Sequence, residues 1–129
     1  MLQSHNNCIF CKIINKEIPS TIIEETSSII TIKDIAPKAP IHYLIIPKIH
    51  VPDVTSLTAD QLPVMADMFA MAQSLGKNHN NAFRLVINNG SAAGQMVFHL
   101  HMHFLAGGFH QSVEALCEEG LPGMTSDTL

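Results

Sequence analysis

The apolar positions of this chain form short runs separated by Pro, Gly, Asn and Ser, and their spacing changes from run to run. From Cys8 to Ile14 every residue but Lys12 is apolar, Cys8 and Cys11 share one helical face, and Asn7 stands where an N-cap would, so the spacing predicts a short helix ended by Pro19. Thr21 to Glu25 and Ser28 to Lys33 alternate apolar with polar residues across Thr26-Ser27 and predict a hairpin. Tyr43-Leu44-Ile45-Ile46, with Pro40 before it and Pro47 after it, reads as a buried strand. A longer helix is predicted from near Thr58, where Gln61 reaches back, up to Gly76, with Leu62, Met65, Phe69, Ala72 and Leu75 as its core stripe. Pro63 would break a helix that had already begun, which moves the start toward Leu62. Arg84 to Asn88 and Met96 to Leu105 read as two more strands joined by residues 89–95. Hairpin-like connections outnumber helical crossovers, so the expected fold is α+β: an antiparallel sheet with a short N-terminal helix and one longer helix.

The Met96 to Leu105 run carries the chemistry. On a strand, His99, His101 and His103 face one way while Phe98, Leu100, Met102 and Phe104 face the other, so the apolar side packs and the imidazoles are presented together. Three of the chain's eight histidines lie within these five positions, which argues against a solvated strand that carries them by accident. A shared metal ion is a second reading, but same-face neighbours are about 6.6 Å apart, leaving His99 and His103 separated by roughly 13 Å on a straight strand. In a third reading one imidazole attacks an electrophile and a neighbour receives the developing charge. Histidine suits this because its pKa near ~6.5 leaves a neutral ring nitrogen at neutral pH, and phosphorus is a fitting electrophile for a neutral nucleophile.

Length and charge narrow the classes. At 129 residues the chain fits a single domain, with a core at about 8–107 and a loop-like tail at 108–129 holding Leu121-Pro122-Gly123. The formal charge of -4 and only seven Lys and Arg, scattered from Lys12 to Arg84, argue against a nucleic-acid partner. No apolar run approaches the ~20 residues of a bilayer span, so no membrane association is expected. Three cysteines, Cys8, Cys11 and Cys117, make a poor disulfide framework and suit a reducing cytoplasm. The Cys8-x-x-Cys11 pair reads as a metal site, a redox motif or two buried thiols; seven mostly polar residues upstream cannot supply the strand that a thioredoxin-like motif follows. Cys117, His5, His79 and His110 read as incidental.

His99-Leu100-His101-Met102-His103-Phe104-Leu105, preceded by Gly94-Gln95, resembles the histidine triad signature of alternating histidine and apolar residues. Ile9-Phe10-Cys11-Lys12-Ile13-Ile14, Glu17-Ile18-Pro19, Asp34-Ile35-Ala36-Pro37, Ile46-Pro47-Lys48 and Val86-Ile87-Asn88-Asn89-Gly90 agree with the family in order and spacing, and the resemblance is to its Hint branch. It implies a homodimer that hydrolyses nucleoside 5′-phosphoramidates or related nucleotidyl bonds of purine nucleotides such as AMP derivatives. In it, His101 resembles the nucleophile that forms a covalent nucleotidyl-histidine, and His103 its phosphate-binding neighbour. Asp34, with Ile35 beside it, resembles the ribose-binding carboxylate, His42 a further site histidine, and Asn88, Gly94 and Gln95 the phosphate and ribose surround. Some bacterial members have zinc ligands matching Cys8, Cys11, His50 and His99; zinc would be structural here, and His99 would leave the catalytic group. Eukaryotic Hint proteins place a serine after the Gly-Gln, whereas this chain has Met96, a thioether that donates no proton. Two other functions remain open: a dinucleoside polyphosphate hydrolase of Fhit type, and a slow nucleotide-binding interaction module.

Overall fold

The computed structural model describes residues 7–108; the predicted tail from 109 onward lies outside them. Helix α1 (Ile9–Ile14) precedes strands β1 (Ile22–Glu25), β2 (Ile29–Lys33) and β3 (Ile41–Pro47), then helix α2 (Pro63–Gly76) and strands β4 (Phe83–Val86) and β5 (Met102–Ala106). The strands form one sheet of order β1-β2-β3-β5-β4, with every neighbouring pair antiparallel. The expected α+β architecture is the observed one.

The sheet's two faces carry different helices, and strand parity decides which residues each receives. Ile45, Met102, Phe104 and Ala106 pack beneath Val64, Met68, Met71, Ala72 and Leu75 of α2. Ile30, Ile32, Leu44 and Ile46 pack on the other face against Phe10, Cys11, Ile13 and Ile14 of α1. In the β3–β5 register Leu44 lies opposite His103 and His42 opposite Leu105, which puts both histidines on the α1 face. The apolar face of β5 is thus the floor that holds the histidine-bearing face in place.

Several local expectations are corrected. Cys8, not Asn7, caps α1, its sulfur accepting the Cys11 N–H at 3.3 Å. Gln61 does reach back to the Thr58 N–H at 3.0 Å, but α2 begins at Pro63, where a missing N–H costs nothing. That start rotates the buried stripe to Val64, Met68, Met71, Ala72 and Leu75, leaving Leu62 and Phe69 exposed. The last two strands are shorter than predicted, since β4 stops at Val86 and β5 starts only at Met102.

Gly76 ends α2 where the Phe83 ring lies against it, and a Cβ there would come within 2.5 Å of that ring. Phe83 in turn stacks on Phe104 with ring centroids 4.9 Å apart, so the ring has no easy retreat. Gly76→Ala is therefore expected to lower stability by about 1–3 kcal/mol, although alanine is the better helix former. Chemical denaturation midpoints check this; a more stable variant would refute the contact argument.

Candidate functional site

Because β5 begins at Met102, the three histidines are not presented on one face of one strand. His103 alone is on the strand, while His99 and His101 lie in the irregular segment leading into it. That segment is tied down from outside: Leu100 N–H donates to the Val51 carbonyl at 2.8 Å, and Gln95 Nε2 donates to the carbonyls of Pro52 at 2.7 Å and Val97 at 3.0 Å. Gln95 Oε1 accepts the Gly90 N–H at 2.8 Å, so this side chain holds the loop together. Gly94 makes the turn at φ +98°, a region that side chains with a Cβ rarely adopt. The irregular path lets the imidazoles turn different ways: His99 is fully buried against α1, while the His101 and His103 rings stay 5.2 Å apart.

Hydrogen bonds then fix the proton on each ring. His101 Nδ1 lies 2.8 Å from the His99 carbonyl, and a carbonyl only accepts, so Nδ1 carries the proton and Nε2 keeps its lone pair. The Lys38 backbone N–H donates to His42 Nδ1 at 3.0 Å, which leaves the His42 proton on Nε2. That Nε2 is 2.9 Å from His103 Nδ1 and 3.3 Å from Asp34 Oδ2, so His42 donates to His103 and moves the His103 proton to Nε2. The other Asp34 oxygen accepts the Ala36 N–H at 2.7 Å. This relay ends in an imidazole donor at His103 beside an imidazole lone pair at His101.

The environment keeps these rings neutral. Burial pushes His101 below the usual imidazole range, with the His99 carbonyl and the Asp34 carboxylate opposing only in part. Burial likewise lowers His103, with like-charge repulsion from His101 and His42, to about 3. Burial lowers His42 against the pull of Asp34. A folded-state His103 pKa far below its ordinary value means that the unfolded chain binds the extra proton. Its contribution to stability is therefore present above about pH 6.5 and is lost as pH falls toward 3. Wild type should lose about 2 kcal/mol more than His103→Asn between pH 7 and pH 5. Parallel urea titrations check this; equal losses in the two proteins would show that His103 is not held neutral.

Two cavities meet at Asp34. One, of about 230 Å³, is lined by His101, His103, Asn88, Gly94, Gln95 and Met96 among others. The other, of about 820 Å³, is largely apolar, with Phe10, Ile13, Ile18, Ile32 and Leu44 in its wall and Lys33 and Asp34 at its polar side. Ile9, Phe10, Asp34, Ile35 and Leu44 line both. All the residues expected at the nucleotide site except His42 line the smaller cavity, and His42 touches it through Asp34 and His103.

Residues 7–116 match the family described as scavenger mRNA decapping enzyme, C-terminal binding. Among curated relatives, HitA of Neisseria gonorrhoeae is 38% identical over 102 residues, covering 78% of this chain and 95% of that protein. The purine nucleoside phosphoramidase of Escherichia coli K12 is 38% identical over 102 residues, covering 77% of this chain and 86% of that enzyme. A HIT family hydrolase structure from Clostridium thermocellum superposes with a TM-score of 0.80 at 42% identity, covering 84% of this chain and 97% of that one. A histidine triad protein from Clostridium difficile gives a TM-score of 0.81 at 34% identity, over 87% of this chain and all of that one. The chain belongs to the histidine triad family. It is a HIT hydrolase-like protein, and its five-stranded sheet is the fold of those structures.

This HIT chain also brings Cys8, Cys11, His50 and His99 together, with one ligand atom from each lying within 4.8 Å of all the others. Cys8 Sγ is 3.3 Å from His99 Nδ1, and Cys11 Sγ is 3.3 Å from His50 Nδ1 and 3.6 Å from His99 Nδ1. Sulfur and nitrogen ligands at the edges of a tetrahedron around zinc would be about 3.6 Å apart. His99 Nε2 donates to the Pro47 carbonyl at 2.7 Å, which leaves the Nδ1 lone pair facing the sulfurs, as a ligand requires. The residues fit a metal ion. Asp34, His42 and His103 also lie close enough to suggest one, but the Lys38 N–H keeps the proton on the His42 nitrogen that faces the cluster. There the short contacts are hydrogen bonds.

Sequence reasoning missed Phe10, whose ring edge meets His99 at 5.8 Å and His101 at 5.1 Å between centroids. It also missed the backbone groups that set the tautomers, the Lys38 N–H and the Pro47 carbonyl. Phe10 was detectable as the one aromatic on the helix between the two cysteines; the backbone partners have no side-chain signature.

Proposed function

We propose that this HIT protein hydrolyses purine nucleoside 5′-phosphoramidates or related nucleotidyl bonds through a covalent nucleotidyl-histidine on His101. The reading is carried by one observation: the His99 carbonyl holds the His101 proton on Nδ1 at 2.8 Å, leaving a neutral Nε2 nucleophile in a cavity it shares with His103. The base enters the apolar 820 Å³ cavity, the ribose hydroxyls meet Asp34 where the two cavities join, and the phosphate lies between His101 and His103. His101 Nε2 attacks phosphorus, the bond to the leaving nitrogen breaks, and that nitrogen takes its electron pair and a proton from water. His103 Nε2–H donates to a phosphoryl oxygen, with His42 fixing the direction of that donor. Water then cleaves the phosphorus–histidine bond, releasing nucleoside monophosphate and restoring His101. The phosphoramidase activity named for the Escherichia coli relative supports this reaction class.

Zinc is the ion proposed for Cys8, Cys11, His50 and His99, where it would fasten α1 to the segment before β5. A homodimer is proposed on the β4 edge of the sheet, which pairs with no further strand among the described residues, and on the exposed Leu62, just before α2, and Phe69 of α2; the metal-holding thiols suit a reducing cytoplasm. Mixing the protein with an adenosine phosphoramidate and with diadenosine polyphosphates, with mass spectrometry for an adduct, separates the functions. Phosphoramidate turnover with an adenylylated His101 is the expected result. Bound nucleotide without turnover of either substrate would instead mark a binding module.

A further inference from the structure

The α1 face of the sheet does not end at the cavity proposed for the base. A third cavity, of about 390 Å³, adjoins it, and Ile13, Ile18, Pro19 and Ser20 line both. The strand register accounts for the continuity. Ile32, in the wall of the 820 Å³ cavity, lies opposite Ile22 in the β1–β2 pair, so the two side chains stand side by side on one face, and Ile22 lines the third cavity. Asp34 lines the larger cavity and not the third, which therefore extends the groove away from the ribose end. Its walls are tied across the groove: Lys16, in the left-handed region at φ +63° just past α1, donates from its ammonium to Glu25 of β1 at 2.8 Å. Glu25 also meets Lys48 at 2.7 Å, so the cation at this rim is already paired. The rest of the lining is mostly aliphatic, and Ile22, on the edge strand, is 41% exposed.

A cavity of 820 Å³ is already in the range that takes a whole drug-sized ligand, roughly 300–1,000 Å³, so a bare purine fills only part of it. With the ribose at Asp34, the five-membered ring of the purine lies nearest the carboxylate, and the six-membered ring with its exocyclic amine points down the groove toward Ile18 and Ile22. Resting on the nucleotide site proposed above, we infer that the 390 Å³ cavity is a subsite for an apolar substituent on that exocyclic amine. The preferred substrates are then purine nucleotides alkylated there rather than plain AMP derivatives. An alkyl chain covers Ile18 and Ile22 and removes their surface from water. The substituted amine keeps one N–H, and Ser20, at the junction of the two cavities, offers a hydroxyl to accept it. An anionic substituent gains little, because Lys16 is held by Glu25 and Glu17 stands beside it at the same rim.

The test measures Kd by calorimetry for AMP and for AMP alkylated on the exocyclic amine with a methyl, a pentyl or a carboxypentyl group. The methyl compound is expected to bind within about twofold of AMP, because it stops short of the third cavity, and the pentyl compound about tenfold more tightly than AMP. The carboxypentyl compound should lose most of that gain. Ile22→Asn, which makes the wall polar, and Glu17→Trp, which fills the cavity from its rim, should each cut the pentyl preference at least threefold and leave AMP binding unchanged. With the matching phosphoramidates the pentyl group should lower KM and leave kcat as it is, since it lies far from phosphorus. Pentyl binding no tighter than methyl binding, or a preference that both variants leave intact, overturns the subsite while leaving the nucleotide site standing. Failure of every nucleotide to bind overturns that site and this inference with it, whereas a pentyl preference in binding without turnover upholds the subsite and overturns the reaction alone.

Discussion

His101→Ala lowers phosphoramidate hydrolysis by about four orders of magnitude or more and abolishes the nucleotidyl adduct, while nucleotide binding and the folded state persist. The size follows from the division of labour among the histidines. Among the described residues, His101 holds the only ring nitrogen in the cavity whose lone pair is set by a carbonyl bond on the opposite side of the same ring. His103 cannot substitute, because His42 donates to its Nδ1 and leaves it with a proton rather than a lone pair on Nε2. Binding survives because the cavity proposed for the base is walled by α1, residues 18–21, β2, the residues after β2 and Leu44, without the His101 ring, and Phe10, which meets that ring, keeps its place through the core that α1 forms with the sheet. The measurement is a single-turnover assay with intact-protein mass spectrometry, beside equilibrium binding of AMP. Retained adduct formation in the alanine variant would place the nucleophile elsewhere.

The same division shows what the sequence could and could not disclose. Alternation of histidine with apolar residues marked a segment whose His101 and His103 line one cavity, and the buried Leu100, Met102 and Phe104 match the predicted packing face. Phe98 departs from it, half-exposed, because the strand has not yet begun. Periodicity alone reads Met96 to Leu105 as one strand, since the bends before Met102 leave the residue pattern unchanged and are imposed by bonds to Val51 and Pro52, distant in sequence. The predicted 13 Å separation of His99 from His103 therefore failed in its premise, although the inference that His99 stands apart from the other two is realised by its burial against the cysteines. The α2 stripe slipped for a related reason. Helical spacing from Leu62 is as regular as spacing from Val64, and only the position of Pro63 and the shape of the sheet decide between them. His42 had no local signal at all, because its meaning comes from the β3–β5 register that sets it beside His103.

The second large effect concerns the metal. Protein purified without added zinc is expected to carry close to one equivalent per chain, and its removal, or Cys11→Ser, is expected to cost about 3 kcal/mol or more and to lower Tm by more than ~10 °C. The four ligands come from three places: the first turn of α1, the segment after β3 and the approach to β5. A bound ion therefore closes loops that α1, only six residues long, cannot close by its own packing. The loss stays below that of an isolated zinc finger because the α2 side of the sheet keeps its own core. A consequence separates this site from a passive staple. Helix α1 carries Ile9, Phe10 and Ile13 into the wall of the cavity proposed for the base, and Phe10 touches the His101 ring. Metal removal should thus raise KM for the nucleotide more than it lowers kcat, whereas loss of His101 acts on kcat. Calorimetry, metal analysis and the KM-to-kcat split together decide it. Metal-free protein with an unshifted transition in Cys11→Ser would mean that the two thiols and two imidazoles hold α1 by hydrogen bonds alone.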